Sequence, residues 1–137
     1  MTGLELLKEH VTTLNRRGLG LDIWDHAGQA YVHAPAIKAP SPPWDKPAYE
    51  ILIAVSVAYD LAALDSFYLC MPYKFKEGTH PRVENGGIVA IQGCQWRLVS
   101  WHYPDGKPWQ SGRDTLESHI VHCAGFFLHR GATNDYH

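Results

Sequence analysis

The chain is short of cysteine, and the three it has, Cys70, Cys94 and Cys123, are odd in number with no CxxC spacing among them. That argues against a disulfide framework and against a zinc ribbon, so free thiols are expected. Charge is scarce too, at 19% of residues with a formal net charge of −2. No electrostatic footprint for a nucleic acid or an acidic membrane results, and partners are met by shape. No apolar run is long enough to span a bilayer, and Met1 to His10 carries acidic residues where a signal peptide has a basic region and an apolar run. A cytoplasmic protein with neither a membrane nor a nucleic-acid partner is expected.

What the chain does have is apolar bulk, 45% of 137 residues, enough for one domain over 1–137 that buries a core without staples. "TGLELLKEHVTTLNRRG" places Thr2 and Glu5 at capping-box spacing, sets Leu4, Leu7, Val11 and Leu14 on one face and stops at Gly18. It predicts an amphipathic helix. "LDIWD" and "AYVHAPAI" alternate apolar and polar residues around "HAGQ", as two strands around a turn do. The prolines of "KAPSPPWDKP" exclude helix and central strand. "YEILIAVSV" has β-branched residues on both parities and predicts a central strand buried on both faces; "DSFYLCMP" predicts another, ended by Pro72.

From Lys74 to Gly87 the composition is that of a loop, and "GIVAIQG" can form a short strand within an otherwise long irregular segment. A last helix is expected from Asp114, capped by it with Glu117 in the reciprocal position, to about Arg130, with Leu116, Ile120, Ala124 and Phe127 on one face and a frayed tail beyond. Helix, antiparallel strands, irregular segment and helix in that order give an α+β fold with a meander sheet.

That order is also the order of the ubiquitin-conjugating (E2) fold, and local patterns sharpen the likeness. "LIAVSVAYDLAALDSFYLCMP" resembles the E2 passage from a central strand through a YP-type turn, with Tyr59 in the tyrosine position and Asp60 in place of proline. "GCQWRLVSWHYPDGKPWQSGRDTLESHI" is similar to the signature of the prokaryotic E2-like family that accompanies ubiquitin-like proteins and E1-like enzymes in bacterial operons. The matching residues are Gly93, Trp96, Ser100, His102, Trp109, Gly112, Asp114 and Leu116. The resemblance implies an E2-like transferase that takes the C-terminus of a ubiquitin-like protein from an E1-like adenylating enzyme and passes it to a target protein, with no cofactor. It also implies that the N-terminal helix is the first candidate for E1 contact. The extra C-terminal helices of a eukaryotic E2 are expected to be missing.

An E2 needs a nucleophile that holds an acyl group as an activated ester. Spacing from Trp109 puts the E2 cysteine's place at Val99 to His102, and a second alignment through "HPRVENGGIV" puts it near Val89. Neither position holds a thiol. Cys94 is the cysteine of the signature segment, as an acyl acceptor or a simple structural residue. Ser100 fits spacing and pattern, with His102 two residues on and, on an extended segment, on the same face as a general base. Equally, Ser100 can cap a strand end and His102 can pack under Tyr103. Cys70 and Cys123 are expected to be buried. His119, His122 and Cys123 share a helix face but lack further metal ligands at a recognisable spacing. Two alternatives stand beside catalysis through Ser100. One is a non-catalytic module that holds the E1-like enzyme or the ubiquitin-like protein; the other is a metal-assisted hydrolase.

Overall fold

The computed structural model describes residues 1–41, 44–74 and 87–133, with side chains as far as Leu128. Helix α1, Gly3–Asn15, begins where the capping box places it. Thr2 Oγ1 accepts from the Glu5 amide at 3.1 Å and Glu5 Oε1 accepts from the Thr2 amide at 2.9 Å. Leu7, Val11 and Leu14 face the core, whereas Leu4, expected beside them, is exposed. Gly3 lies against the backbone carbonyls of Val57 and Tyr59, so closely that any Cβ would collide with them.

Six strands follow: β1 (Asp22–His26), β2 (Gln29–Lys38), β3 (Ala48–Val55), β4 (Phe67–Cys70), β5 (Ile88–Ile91) and β6 (Cys94–Val99). They form one antiparallel sheet in the order β1-β2-β3-β4-β6-β5. Two hairpins turn on two-residue loops with both φ angles positive, Ala27 (52°) and Gly28 (80°), then Gln92 (55°) and Gly93 (77°). That is type I′ geometry, whose twist matches the flanking strands. The second hairpin makes two strands of a segment whose sequence was expected to be mostly irregular. The loop expected from Lys74 to Gly87 lies, over 75–86, outside the described residues.

As its sequence requires, β3 is central and buried on both faces. Tyr49, Ile51, Ile53 and Val55 meet the helices, while Leu52 and Ala54 meet a second cluster with Tyr31, Ile91 and Trp96. The sheet is curled around that second cluster. Trp24 on β1 and Trp96 on β6 have ring centroids 5.9 Å apart, although three strands lie between them. A flat sheet at about 4.8 Å per strand would hold β1 and β6 roughly 19 Å apart.

Helix α2, Leu116–Thr133, buries Leu116, Ile120, Cys123, Phe126 and Phe127 beside α1 and over the sheet. Two boundaries differ from expectation. The helix starts at Leu116 because the Asp114 carboxylate turns back to the Gln110 amide (2.7 Å) and to Ser118 Oγ (3.2 Å), and Glu117 pairs with Arg17 at 2.5 Å instead of closing a box. It runs past Arg130 to Thr133. The proline-rich segment carries a core residue: Trp44 is 1% exposed, packs on Phe127 and donates its indole N–H to the Phe127 carbonyl at 3.1 Å. No described helix is long and apolar enough to cross a membrane.

Candidate functional site

Past the end of β6 at Val99, burial along the chain alternates. Val99 and Trp101 are buried, while Ser100 is half-buried and His102 exposed on the opposite side. The buried member is firmly held. The Trp101 amide donates to Ser66 Oγ at 3.1 Å, its indole N–H donates to the His122 carbonyl at 2.8 Å, and His122 Nε2 donates back to the Trp101 carbonyl at 3.3 Å. A carbonyl only accepts, so the proton of His122 is on Nε2.

The other members are half-buried Ser100 and exposed His102, which are not hydrogen-bonded to each other. His102 Nδ1 instead lies 3.1 Å from both oxygens of Asp65. Asp65 owes its place to its neighbour. Ser66 adopts a left-handed φ of 55°, uncommon outside glycine. Its hydroxyl accepts from Trp101 and its carbonyl accepts from His119 Nε2 at 2.8 Å, which fixes the turn that presents Asp65. His102 therefore does not pack under Tyr103, whose ring stacks on His122 at 4.1 Å and 10°.

Beneath this surface the Tyr103 hydroxyl donates to His119 Nδ1 at 2.7 Å. His119 is fully buried, and burial lowers its pKa to about 4, overriding the Ser66 carbonyl, which favours the charged ring. Burial also pushes the Tyr103 phenol up. Both nitrogens of His119 are thus committed and the ring is neutral. Among the described residues no group of three or more His, Cys, Asp and Glu side chains could hold a metal ion.

Trp109 closes one wall by donating its indole N–H to the Asp60 carbonyl at 3.1 Å, and Gly112 N donates to the Asp60 carboxylate at 3.3 Å. The neighbouring Tyr59 is buried, with its hydroxyl between the two helices: it donates to His10 Nδ1 (2.8 Å) and accepts from the Leu116 amide (2.6 Å). Burial raises its pKa to about 12. Between the turn at Ala63–Asp65 and the loop from Tyr103 to Trp109 lies an open groove of about 380 Å³, with Leu64, Asp65, Tyr103 and Trp109 in its walls. The tryptophans divide, Trp96 and Trp101 in core and Trp109 in wall.

Cys94 stands elsewhere. It is the exposed first residue of β6 beside the Gln92–Gly93 turn, and six residues of extended chain separate it from Ser100 by roughly 20 Å. The structure brings Ser100 and His102 to one surface and leaves Cys94 at the other end of the strand. Cys123 is fully buried, while Cys70, expected to be buried, is only partly so because β4 ends there. Burial, followed by the Glu50 carboxylate and Cys94, raises the Cys70 thiol to about 11. Asp65 carries no sequence signal that would join it to a histidine 37 positions away, and Ser66 none that would join it to Trp101 or His119.

The family model described as Prokaryotic E2 family E matches residues 6–127. No curated protein and no solved structure matches the chain.

Proposed function

The chain belongs to prokaryotic E2 family E, and from that premise we propose that it receives the C-terminal acyl group of a ubiquitin-like protein from an E1-like enzyme and passes it to a target protein. Membership carries the coarser statement, an E2-like role of transferase class in a bacterial pathway with E1-like and ubiquitin-like partners. The finer reading makes Ser100 the acyl acceptor and His102 its general base. One observation carries it. Val99 and Trp101 are buried while half-buried Ser100 and exposed His102 alternate with them, and the Asp65 that meets His102 lines an open groove. The helix, curled antiparallel sheet and helix support a ubiquitin-conjugating-enzyme-like domain, and the proposed place of its work is the cytoplasm.

A serine holds an oxyester, less reactive toward amines than a thioester, and so needs a base both to load and to discharge. Acid–base pairs in a free enzyme often close only around substrate, so the absence of a Ser100–His102 bond is compatible with that role. The same absence favours a second reading, a non-catalytic module that binds the E1-like enzyme or the ubiquitin-like protein.

Incubation with the E1-like enzyme, ATP and the ubiquitin-like protein separates the two. An adduct cleaved by hydroxylamine, resistant to thiol reductant and lost on Ser100→Ala supports the transferase. Tight binding with no adduct from the wild type supports the module and sinks the transferase. A reductant-sensitive adduct lost on Cys94→Ala moves the chemistry to the exposed thiol at the far end of β6.

A further inference from the structure

The contact between Asp65 and His102 specifies more than proximity. A carboxylate can only accept, and both of its oxygens lie 3.1 Å from Nδ1, so Nδ1 must carry a proton. In the neutral ring that leaves Nε2 bare. We propose that Asp65 is the positioning residue of this site, holding the His102 proton on Nδ1 so that Nε2 is free to take the Ser100 proton. This rests on the acyl-transfer reading above.

Both partners hang from buried anchors. His102 follows Trp101, which is 7% exposed and bonded through its amide and its indole. Asp65 precedes Ser66, 5% exposed and bonded through its hydroxyl and its carbonyl. The Trp101 amide and the Ser66 hydroxyl bond to each other, so one buried link sets the spacing of the two exposed side chains. The pair itself is solvated, at 60% and 55% side-chain exposure. At that exposure coulombic attraction is screened, and the contribution of Asp65 is to tautomer and ring orientation.

The neighbouring histidines show what the arrangement reserves. His119 has both nitrogens committed, to Tyr103 and to Ser66, and His122 gives Nε2 to the Trp101 carbonyl under the Tyr103 ring. His102 is the histidine of this cluster held through Nδ1 and open to solvent. In loading, the Ser100 oxygen bonds to the acyl carbon of the thioester on the E1-like enzyme and its proton passes to Nε2. The carbon–sulfur bond then breaks, and the Nε2 proton goes to the departing sulfur. The ring ends neutral, with Nδ1–H unchanged.

The test reads the tautomer directly. In nitrogen-15 imidazole spectra above the histidine titration range, about pH 8, the wild type is expected to show Nδ1 protonated and Nε2 bare. Asp65→Asn, whose amide can donate to Nδ1, is expected to move the proton to Nε2, and Asp65→Glu to restore the wild-type spectrum. The same proton position in wild type and Asp65→Asn would overturn the proposal. In single-turnover loading, Asp65→Asn is expected to lose roughly tenfold to a hundredfold in rate with unchanged affinity for the loaded E1-like enzyme, and Asp65→Glu to recover part of it. A Ser100-dependent wild-type adduct formed equally fast by Asp65→Asn would overturn the role of Asp65 alone. The absence of any Ser100-dependent adduct from the wild type would sink the acyl-transfer reading beneath it.

Discussion

Lowering the pH should unfold this domain through His119. Its ring is 0% exposed, with Nε2–H on the Ser66 carbonyl and Nδ1 accepting from Tyr103. Burial holds its pKa at about 4, against the ordinary histidine value of 6.5. The folded pKa is depressed, so between the two values the unfolded chain binds the proton and the folded one does not. Stability is therefore fully present above about pH 6.5 and is lost as the pH falls toward 4. From about pH 7 to about pH 5 the linkage amounts to roughly 2 kcal/mol, a large share of a small domain's stability. Urea unfolding followed by tryptophan fluorescence at a series of pH values measures it. His119→Gln, which keeps an amide donor for the Ser66 carbonyl but does not titrate, should be less stable at neutral pH and should lose that pH dependence. A wild-type stability flat over this range, or an equal slope in His119→Gln, would refute the reasoning. Carboxylates with lowered pKa values, such as Asp45, act below this window and are common to both proteins.

Tyr59→Phe removes one hydroxyl that serves both helices and leaves the amide of fully buried Leu116 without its acceptor. The expected loss is about 2 to 3 kcal/mol, read as a urea midpoint about 1 M lower at constant slope; a change below about 0.5 kcal/mol would contradict the bridging role. The thiols should differ sharply toward an aromatic disulfide reagent. Cys94, exposed, is expected to react fastest, and Cys123, buried with its thiol pKa well raised, only as the domain opens. A fast phase that survives Cys94→Ala would show that the exposed thiol has been misplaced.

The first helix and the central strand were legible because their signals are local. Thr2 and Glu5 meet across one helical turn, and the apolar residues on both parities of "YEILIAVSV" record a strand with core on both sides. The later hairpin was harder to see, since its turn is a single Gln92–Gly93 pair whose positive φ angles are a property of folded backbone. Asp114 was misread as a cap for a related reason. Its spacing suits that role, but its carboxylate accepts instead from the Gln110 amide and the Ser118 hydroxyl.

The sequence by itself determined the α+β order, the central strand, and the placement of Ser100 and His102 two residues apart beside buried Trp101. Periodicity, caps and covalent neighbours suffice for those. Tertiary structure alone decided that Asp65 would meet His102, that His119 would be neutral, and that Cys94 would stand a strand's length from Ser100. Each depends on how β4, β6 and α2 are packed, because hydrogen-bond partners and desolvation are set by distances in space that no spacing along the chain encodes.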